Sequence, residues 1–394
     1  MNILKIIGRQ QSLFQKDLEK YEDELSHIVA TSNFLVLGGA GSIGQAVTKE
    51  IFKRKPKKLH VVDISENNLV ELVRDIRSSL GYIDGDFKTY VLNIGSWQFD
   101  AYTKDNSDFD YVLNLTALKH VRSEKDQFTL MNMIETNILN TIKTAQWSKK
   151  IGAKKYFAVS TDKAANPVNM MGASKRIMEL YLNKESNDFN ISTARFANVA
   201  FSDGSLPYGY NIRISKKQPI VAPSDVKRYF VTPEESGLIC LFSAILGENR
   251  DIFFPQLGNE HLIKFTDIAI RFLEDKGYKP ALIDSEDEAR ANINEYIKEG
   301  KWPCLFASSN TTGEKSFEEF YTENENIDLT KFDELGIVKT KLSFEENKLD
   351  HFLEKISEYK KQGEWSKTNL LELFQFMLPN FEHEEKNNYL DSKM

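Results

Sequence analysis

A glycine-rich turn near the beginning of the chain constrains its fold more than any other sequence feature. The run GGAGSIG occupies 38–44 and directly follows an apolar run at 34–37. In such a motif Gly38 permits a tight turn, Gly41 lets the backbone approach a pyrophosphate, and Gly44 lets strand and helix pack closely. The motif, placed between a strand pattern and a helix pattern, predicts a dinucleotide site.

The residues around this turn indicate which dinucleotide binds. Ser42 and Ile43 open the helix, where free N–H groups and the helix dipole favour an anion. Asp63 ends the next strand pattern about 20 residues later, where a carboxylate binds the adenosine ribose. Because its charge repels a 2′-phosphate and ISE at 64–66 offers no basic residue, NAD is favoured over NADP. The basic run at 53–58, interpreted as a solvated helix end and loop, would reverse this preference if it lay beside the ribose.

Strand and helix patterns alternate after the glycine turn. Such alternation predicts an α/β fold, a Rossmann-type doubly wound parallel sheet. The expected strands are 34–37, 59–62, 88–92, 111–115 and 156–159, and the expected helices include 66–80 and 130–150.

Four regions are expected from these patterns. Residues 1–32 form a helical extension with an apolar stripe, and 33–200 form the NAD-binding domain. A smaller substrate domain at 201–344 could return strands to the sheet, and 345–394 form a C-terminal helical extension and tail.

Composition excludes several classes of protein. A net charge of -7 argues against a nucleic-acid partner, which requires a concentrated basic surface. Two cysteines, Cys240 and Cys304, suit a reducing cytoplasm, and the six histidines show no metal-ligand spacing. The apolar start is too short for a signal-peptide core or a membrane span. We therefore expect a cytoplasmic protein without a metal or an integral membrane segment.

Several longer segments carry a resemblance to a known family. The chain resembles the extended short-chain dehydrogenase/reductases, and within them the CapD-like polysaccharide biosynthesis family of UDP-N-acetylglucosamine 4,6-dehydratases. The matching segments are GGAGSIG at 38–44, LNLTALKHVRSEKD at 113–126, ETNILNT at 135–141, STDKAANPVNMMGASKR at 160–176, ARFANVAFSDGSLP at 194–207, RYFVTPEESG at 228–237 and TGEKSFEEF at 312–320. Departures are Asn140 and Ala197, where the family usually has glycine, and Thr311-Thr312, where Arg-Pro is common.

The resemblance assigns residues to the cofactor and to the substrate. The cofactor set comprises Gly38, Gly41, Ser42, Ile43, Gly44, Asp63, Asn93, Ile94, Thr116, Ala117 and Lys175. The substrate set, for a UDP-sugar, comprises Lys119, His120, Met171, Asn198, Arg228 and Glu318. Arg228 would pair with a phosphate through its planar guanidinium. A homodimer through two helices per subunit, or a higher homo-oligomer, is the family-like expectation.

The catalytic set is expected to be Thr161, Asp162, Lys163 and Lys175. Short-chain dehydrogenases place a tyrosine four residues before the lysine, where both share one helix face, but Met171 stands there. Lys163 is predicted to be the base, with its pKa lowered towards neutrality, and Asp162 the acid. The proton of the sugar carbon 4 hydroxyl then needs another route, either Thr161 with a water or Asp162.

Three functions are compatible with these residues. The favoured one is an NAD-dependent hydro-lyase that converts UDP-N-acetylglucosamine into a 4-keto-6-deoxy sugar for bacterial surface polysaccharide or glycan synthesis. A UDP-sugar epimerase on the same scaffold is the first alternative, although it normally needs the tyrosine. A catalytically silent NAD-binding protein is the second, but the retained Thr161, Asp162, Lys163 and Lys175 argue against it.

Overall fold

The computed structural model describes residues 1–309, 318–339, 341 and 343–383. The strands in this part of the chain are β1 (Asn33–Leu37), β2 (Lys58–Asp63), β3 (Asp86–Val91), β4 (Tyr111–Asn114), β5 (Lys155–Thr161), β6 (Ile191–Phe196), β7 (Asn198–Val199), β8 (Ile220–Pro223), β9 (Lys227–Arg228), β10 (Phe230–Val231), β11 (Ile252–Pro255), β12 (Ile263–Lys264), β13 (Lys279–Leu282), β14 (Lys301–Ala307), β15 (Ile327–Asp328) and β16 (Leu335–Val338).

The helices connect these strands and extend both ends of the described chain. They are α1 (Ile3–Ile6), α2 (Gln15–Ala30), α3 (Ser42–Lys53), α4 (Glu66–Ser79), α5 (Trp97–Asp105), α6 (Gln127–Ile134), α7 (Asn140–Lys150), α8 (Met170–Glu185), α9 (Leu206–Ser215), α10 (Pro233–Leu246), α11 (Phe265–Asp275), α12 (Glu286–Ala291), α13 (Ile293–Lys298), α14 (Glu346–Gln362) and α15 (Lys367–Met377). A π-helical turn, Glu135–Leu139, joins α6 to α7, so the predicted helix at 130–150 is one continuous rod with a widened turn.

Nine of these strands form one sheet in the order β15-β16-β11-β6-β5-β4-β1-β2-β3. Neighbouring strands in the part of the sheet β11-β6-β5-β4-β1-β2-β3 are parallel to each other. At the other edge, β16 runs antiparallel to both of its neighbours, β11 and β15. The order 3-2-1-4-5-6 is that of dinucleotide-binding sheets, with the crevice where β1 separates β2 from β4. The predicted α/β Rossmann-type fold is confirmed.

Apolar side chains cover both faces of this sheet. One cluster joins Phe34 and Val36 of β1 to residues of α2, α3 and α10, and the other joins Leu35 and Leu37 to α6, α8, α14 and α15. Alternate residues of β1 thus point into opposite layers, as the pleat of a strand requires. Because both faces are covered, the strand patterns are continuously apolar instead of alternating.

A smaller lobe follows β6. Strands β13, β14 and β8 form a three-stranded parallel sheet, and α9, α11 and α13 contribute to its separate apolar core around Trp302. The same stretch of chain also returns α10, β11, β15 and β16 to the large sheet.

The first 14 residues, here called the N-terminal arm, connect the two lobes. Ile6 and Ile7 are buried in the core of the smaller lobe. Arg9 then forms a two-pronged ion pair with Glu235 of α10, at 2.9 Å and 2.5 Å. Phe14 is fully buried in the large core. The arm therefore holds the smaller lobe against the sheet that carries the candidate site.

Candidate active site

Parallel strands bring the predicted site residues to one edge of the sheet. Asp63 is the last residue of β2 and Thr161 the last of β5, while Asn198 lies two residues after the end of β6. Asn93 follows β3, and Thr116 follows β4. The carboxyl ends of parallel strands lie along the same edge, so residues far apart in sequence share one cleft.

The glycine turn has the shape that a diphosphate site requires. Gly38 adopts φ +71°, and a Cβ there would lie 2.8 Å from the Thr116 amide nitrogen. A Cβ on Gly44 would lie only 2.1 Å from the Gly38 carbonyl oxygen, whereas one on Gly41 would lie 3.6 Å from it. Gly38 and Gly44 are thus required by the protein's own packing. A Cβ on Gly41 would make only an ordinary van der Waals contact within the protein, so glycine at this position fits the close approach of a ligand.

Asp63 supports the turn from the next strand. Its carboxylate accepts the Ala40 N–H at 2.9 Å and the Ser65 N–H at 2.9 Å. The basic run at 53–58 lies at the other end of β2, where Arg54 pairs with Glu50 and Glu22, and Lys58 pairs with Asp108. Five residues of strand separate the two ends by roughly 17 Å, so this run does not lie beside the ribose position.

The other predicted cofactor residues line the same crevice. Ile94 is buried, and the Asn93 side chain accepts the Gly95 N–H at 2.9 Å. The Thr116 hydroxyl donates to the Asn114 side chain at 2.6 Å, and Ala117 next to it is half-buried. The Ser42 hydroxyl accepts the Asp203 N–H at 2.9 Å, which ties the glycine turn to the start of the smaller lobe.

Thr161, Asp162 and Lys163 form a hydrogen-bonded chain at the end of β5. The Thr161 hydroxyl donates to Asp162 Oδ1 at 2.6 Å, and Lys163 Nζ lies 3.2 Å from the same oxygen. The Asp162 side chain is 3% exposed and that of Lys163 is 28% exposed. The Asp162 carboxylate is therefore almost fully buried, whereas the Lys163 side chain is partly exposed. A Cβ on Gly172 would lie 2.5 Å from the Lys163 carbonyl, so glycine there lets α8 pack directly on this turn.

Glu318 joins this group from the other side of the cleft. Its carboxylate accepts the Tyr229 N–H at 2.9 Å and a hydrogen bond from the Asn198 amide, and Arg228 Nε lies 3.7 Å from it. Burial raises its pKa to about 7, and the charge of Asp162 adds to the effect, while Lys163 and Arg228 oppose it. Three predicted substrate residues, Asn198, Arg228 and Glu318, are thus brought together.

The predicted lowering of the Lys163 pKa is wrong. Burial favours the neutral amine, but the negative charges of Asp162 and Glu318 outweigh it, and the Lys163 pKa lies above its ordinary value. Glu318, the second of these carboxylates, lies 155 residues from Lys163 in the sequence, and only the fold brings it near.

Of the two predicted catalytic lysines, Lys175 is the one whose pKa falls. Burial lowers it to about 8, with only the charge of Glu179 opposing. Its Nζ donates to the Val159 carbonyl at 3.1 Å, so it holds α8 to β5 from inside the protein. In the described structure the Lys175 amine is thus engaged by the backbone of the sheet.

Met171, Lys119 and His120 occupy different environments. The Met171 side chain is 3% exposed and packs in the apolar cluster beneath α8. Lys119 and His120 are exposed in the cleft, and the His120 ring lies against Gly204, where a Cβ would be 2.8 Å from Nε2. Contact of these three residues with a substrate stays a prediction.

Two buried charge groups behind the site were not identified from the sequence. Arg195 is fully buried and pairs with Glu179 and Glu325, each at 2.8 Å, and it also donates to the Phe320 carbonyl at 2.9 Å. This network joins β6 and α8 to the segment that carries Glu318. Glu124, in the segment LNLTALKHVRSEKD, accepts the Met171 N–H at 2.9 Å. No local pattern marks these residues, because each has its partners far away in the sequence.

Part of the sequence used for the family resemblance belongs to residues that the structure does not describe. The departures at Thr311 and Thr312, and most of the segment TGEKSFEEF, lie outside the described residues. Among the described residues, no helix is both long and apolar enough to span a membrane. In the same part of the chain, His, Cys, Asp and Glu side chains form no group arranged to hold a metal ion.

The sheet order, the glycine turn and the serine/threonine and lysine at β5 and α8 define a protein of the extended short-chain dehydrogenase/reductase class. Residues 34–340 match the family described as polysaccharide biosynthesis protein. The chain belongs to this family, and the predicted resemblance is confirmed.

Over the aligned residues, the curated relatives below are between 26% and 28% identical to the chain. An uncharacterised membrane protein of Methanocaldococcus jannaschii is 28% identical over 80% of this chain and 88% of that protein. The capsular polysaccharide biosynthesis protein CapD of Staphylococcus aureus is 27% identical over 71% of this chain, but the match covers only 46% of that protein. A UDP-N-acetylglucosamine 4,6-dehydratase (inverting) of Campylobacter jejuni is 26% identical over 60% of this chain and 70% of that enzyme.

Solved structures agree with the fold. Pen from Bacillus thuringiensis superposes with a TM-score of 0.65 at 21% identity, covering 79% of this chain and 89% of that one. The Bordetella bronchiseptica enzyme WbmF in complex with NAD+ gives a TM-score of 0.51 at 17% identity, covering 68% and 88% of the two chains. These likenesses support the Rossmann-type architecture.

Proposed function

We propose that this protein is an NAD-dependent nucleotide-sugar 4,6-dehydratase that acts on UDP-N-acetylglucosamine in surface polysaccharide or glycan synthesis. The Thr161–Asp162–Lys163 chain at the end of β5 carries this proposal. It supplies a carboxylate and an amine 3.2 Å apart, at the edge of the sheet where the glycine turn lies. Dehydration needs one base and one acid in the same pocket, and this pair can supply both. The Campylobacter dehydratase among the relatives supports the same reaction class.

The site residues fit NAD. Gly41 leaves room for a pyrophosphate, and a Cβ there would narrow it. Each Asp63 oxygen accepts one backbone N–H and retains a lone pair for a ribose hydroxyl. The basic run at 53–58 pairs with acidic residues at the far end of β2, which favours NAD over NADP. When bound, NAD would accept hydride from sugar carbon 4 and return it to carbon 6.

Proton transfer can be assigned to Asp162 and Lys163. At rest the raised pKa keeps Lys163 charged, so its proton must move before the amine can act as a base. Asp162 Oδ1, at 3.2 Å, is positioned to accept it. That single transfer creates a neutral amine at Nζ and a protonated carboxyl at Asp162. Nζ then takes the carbon 5 proton, the carboxyl gives its proton to the departing carbon 6 hydroxyl as water, and the starting charges are restored.

The carbon 4 hydroxyl proton has a route through Thr161. Met171 replaces the tyrosine that would otherwise carry this proton, and its side chain is buried in the core. The Thr161 hydroxyl donates to Asp162 at 2.6 Å, which orients its oxygen to accept a proton from the carbon 4 hydroxyl. Because Asp162 already holds the proton from Lys163 in this scheme, Thr161 passes the carbon 4 proton on to a solvent water, and solvent returns one proton to carbon 5 when hydride adds to carbon 6.

Product analysis tests the proposal. The purified protein is incubated with UDP-N-acetylglucosamine in heavy water, and the product is examined by mass spectrometry and NMR. We expect the loss of one water and deuterium at carbon 5. An isomer of unchanged mass would instead identify an epimerase, and unchanged substrate with bound NAD would identify a silent NAD-binding protein.

We also propose that the protein forms a homodimer or a larger homo-oligomer. Light scattering of the purified protein measures its oligomeric state.

A further inference from the structure

The described C-terminal residues pack against the helix that carries Met171 and Lys175. Helices α14 and α15, with the residues up to 383, are here called the C-terminal hairpin. Phe352 and Phe374 are fully buried in the same apolar cluster as Met171. Helix α15 contacts both α8 and α6. The hairpin is therefore part of the layer that supports the candidate site.

Glu124 is the point where the hairpin meets the site. Its Oε1 accepts the Met171 N–H at 2.9 Å, and its Oε2 lies 3.0 Å from His383 Nε2. The Glu124 side chain is 0% exposed and that of His383 is 4% exposed. A carboxylate so deeply buried is stable only when both oxygens have partners. His383 supplies the second partner from 259 residues later in the chain.

The contact with Met171 completes the N-terminus of α8. Asn169 caps this helix by accepting the Gly172 N–H at 2.8 Å, which leaves the Met171 N–H to be satisfied separately. Glu124 accepts it and places a negative charge at the positive end of the helix dipole. The position of the first turn of α8, four residues before Lys175, thus depends on Glu124.

Glu124 also fixes a substrate segment. It ends the short 3-10 helix Val121–Glu124, which begins directly after His120. Trp365 of the hairpin donates to the Gln127 carbonyl at 3.0 Å and packs edge-on against Phe128, which holds the other end of this segment. One carboxylate therefore sets the distance between the His120 segment and α8, and the hairpin holds that carboxylate.

We propose that Glu124 and His383 are positioning residues, through which the C-terminal hairpin fixes the substrate segment at His120 against the first turn of α8. This inference rests on the proposed dehydratase function. Misplacement of reacting groups by about 1 Å can cost about 10²-fold in rate. Neither the glycine turn nor Asp63 takes part in this contact, so we expect NAD binding to be retained when it is lost.

The test compares His383→Ala with two matched variants. His383→Gln retains an N–H donor, and His351→Ala removes an exposed histidine from α14 of the same hairpin. We expect His383→Ala to lower kcat at least about 10-fold, with NAD content unchanged, His383→Gln to recover most of the loss, and His351→Ala to have no effect. Equal loss in His351→Ala, loss of NAD in parallel with kcat, unchanged kcat or failure of His383→Gln to recover activity would each overturn the proposal.

A second readout does not depend on the reaction. Hydrogen exchange of the Met171 amide reports whether Glu124 still accepts it. We expect exchange at least about 10-fold faster in His383→Ala and in Glu124→Ala, and normal exchange in His383→Gln. Unchanged exchange in both alanine variants would contradict the inference. If wild type fails to dehydrate the substrate but exchange behaves as expected, the proposed function is wrong and the positioning contact stands.

Discussion

The two halves of the cleft are built in different ways. The predicted cofactor half, consisting of the turn at 38–44 and Asp63, is held by close backbone packing at the glycines and by the Asp63 carboxylate, which accepts the Ala40 N–H. The predicted substrate half, consisting of 161–163, Asn198, Arg228 and Glu318, is held by polar and charged side chains from distant segments; the Asn198–Glu318 hydrogen bond joins residues 120 apart. In the cofactor half the backbone shape decides what can bind, whereas in the substrate half the charges and protonation states of the side chains decide which chemistry is possible. Substitutions should therefore separate binding of the cofactor from chemistry on the substrate.

The largest separation is expected from Lys163→Ala. Loss of the amine removes the base for the carbon 5 proton, so kcat should fall at least about 10³-fold while NAD stays bound. Steady-state kinetics and the NAD content of the purified protein check both parts.

Lys154→Ala is the control for this prediction. Lys154 lies just before the opposite end of β5, pairs with Asp110 at 3.0 Å and is exposed. It should retain full activity. Turnover by Lys163→Ala close to that of wild type would remove Lys163 from the mechanism.

Two glycine substitutions sharpen the description of the cofactor half. Gly44→Ala places a methyl group 2.1 Å from the Gly38 carbonyl and should destabilise the fold by about 3 kcal/mol. Gly41→Ala meets only ordinary contacts in the protein, so it should weaken NAD binding at least about tenfold without loss of stability. Thermal unfolding and NAD titration measure these effects.

Gly209→Ala in α9 provides the reference, because its Cβ would have no heavy atom within 4 Å. If Gly41→Ala instead unfolds the protein and binds NAD normally in its folded fraction, the pyrophosphate does not approach Gly41.

The smallest effect concerns the pH dependence of stability. The Glu318 pKa is raised from 4.5 to about 7, so between these values the folded protein holds a proton that the unfolded chain has lost. Stability from this group is complete below the lower value and is lost as the pH rises through the upper one. Relative to wild type, Glu318→Gln should gain about 2 kcal/mol of unfolding free energy between about pH 5.5 and pH 8.

Denaturant unfolding at the two pH values gives this difference. Exposed Glu323 supplies the control, and Glu323→Gln should show no such gain. An equal change of unfolding free energy between the two pH values in wild type and in Glu318→Gln would mean that the Glu318 pKa is not raised in the folded protein.

The same difference between the two halves of the cleft explains which structural features could be predicted from the sequence. The sheet and the glycine turn follow from patterns within a few tens of residues, so the strands β1, β2, β3 and β4 lie within two residues of their predicted ends. The direction of the Lys163 pKa could not be obtained in this way: burial lowers this pKa, the charge of Asp162 raises it, and Glu318, which only the tertiary fold brings near, raises it further. The same holds for Glu124, whose two partners, Met171 and His383, share no spacing with it.

The N-terminal arm has a consequence for how the protein folds. Asn2 bonds to Asp275, Phe14 to Glu334, and Asp17 of α2 to the Asp333 amide, across separations of 273, 320 and 316 residues. Contacts between such distant residues form slowly because a long loop must close first. During synthesis the segment made first must wait for partners that are translated more than 250 residues later. Completion of the sheet by β16 and docking of the arm should therefore be late, coupled steps of folding.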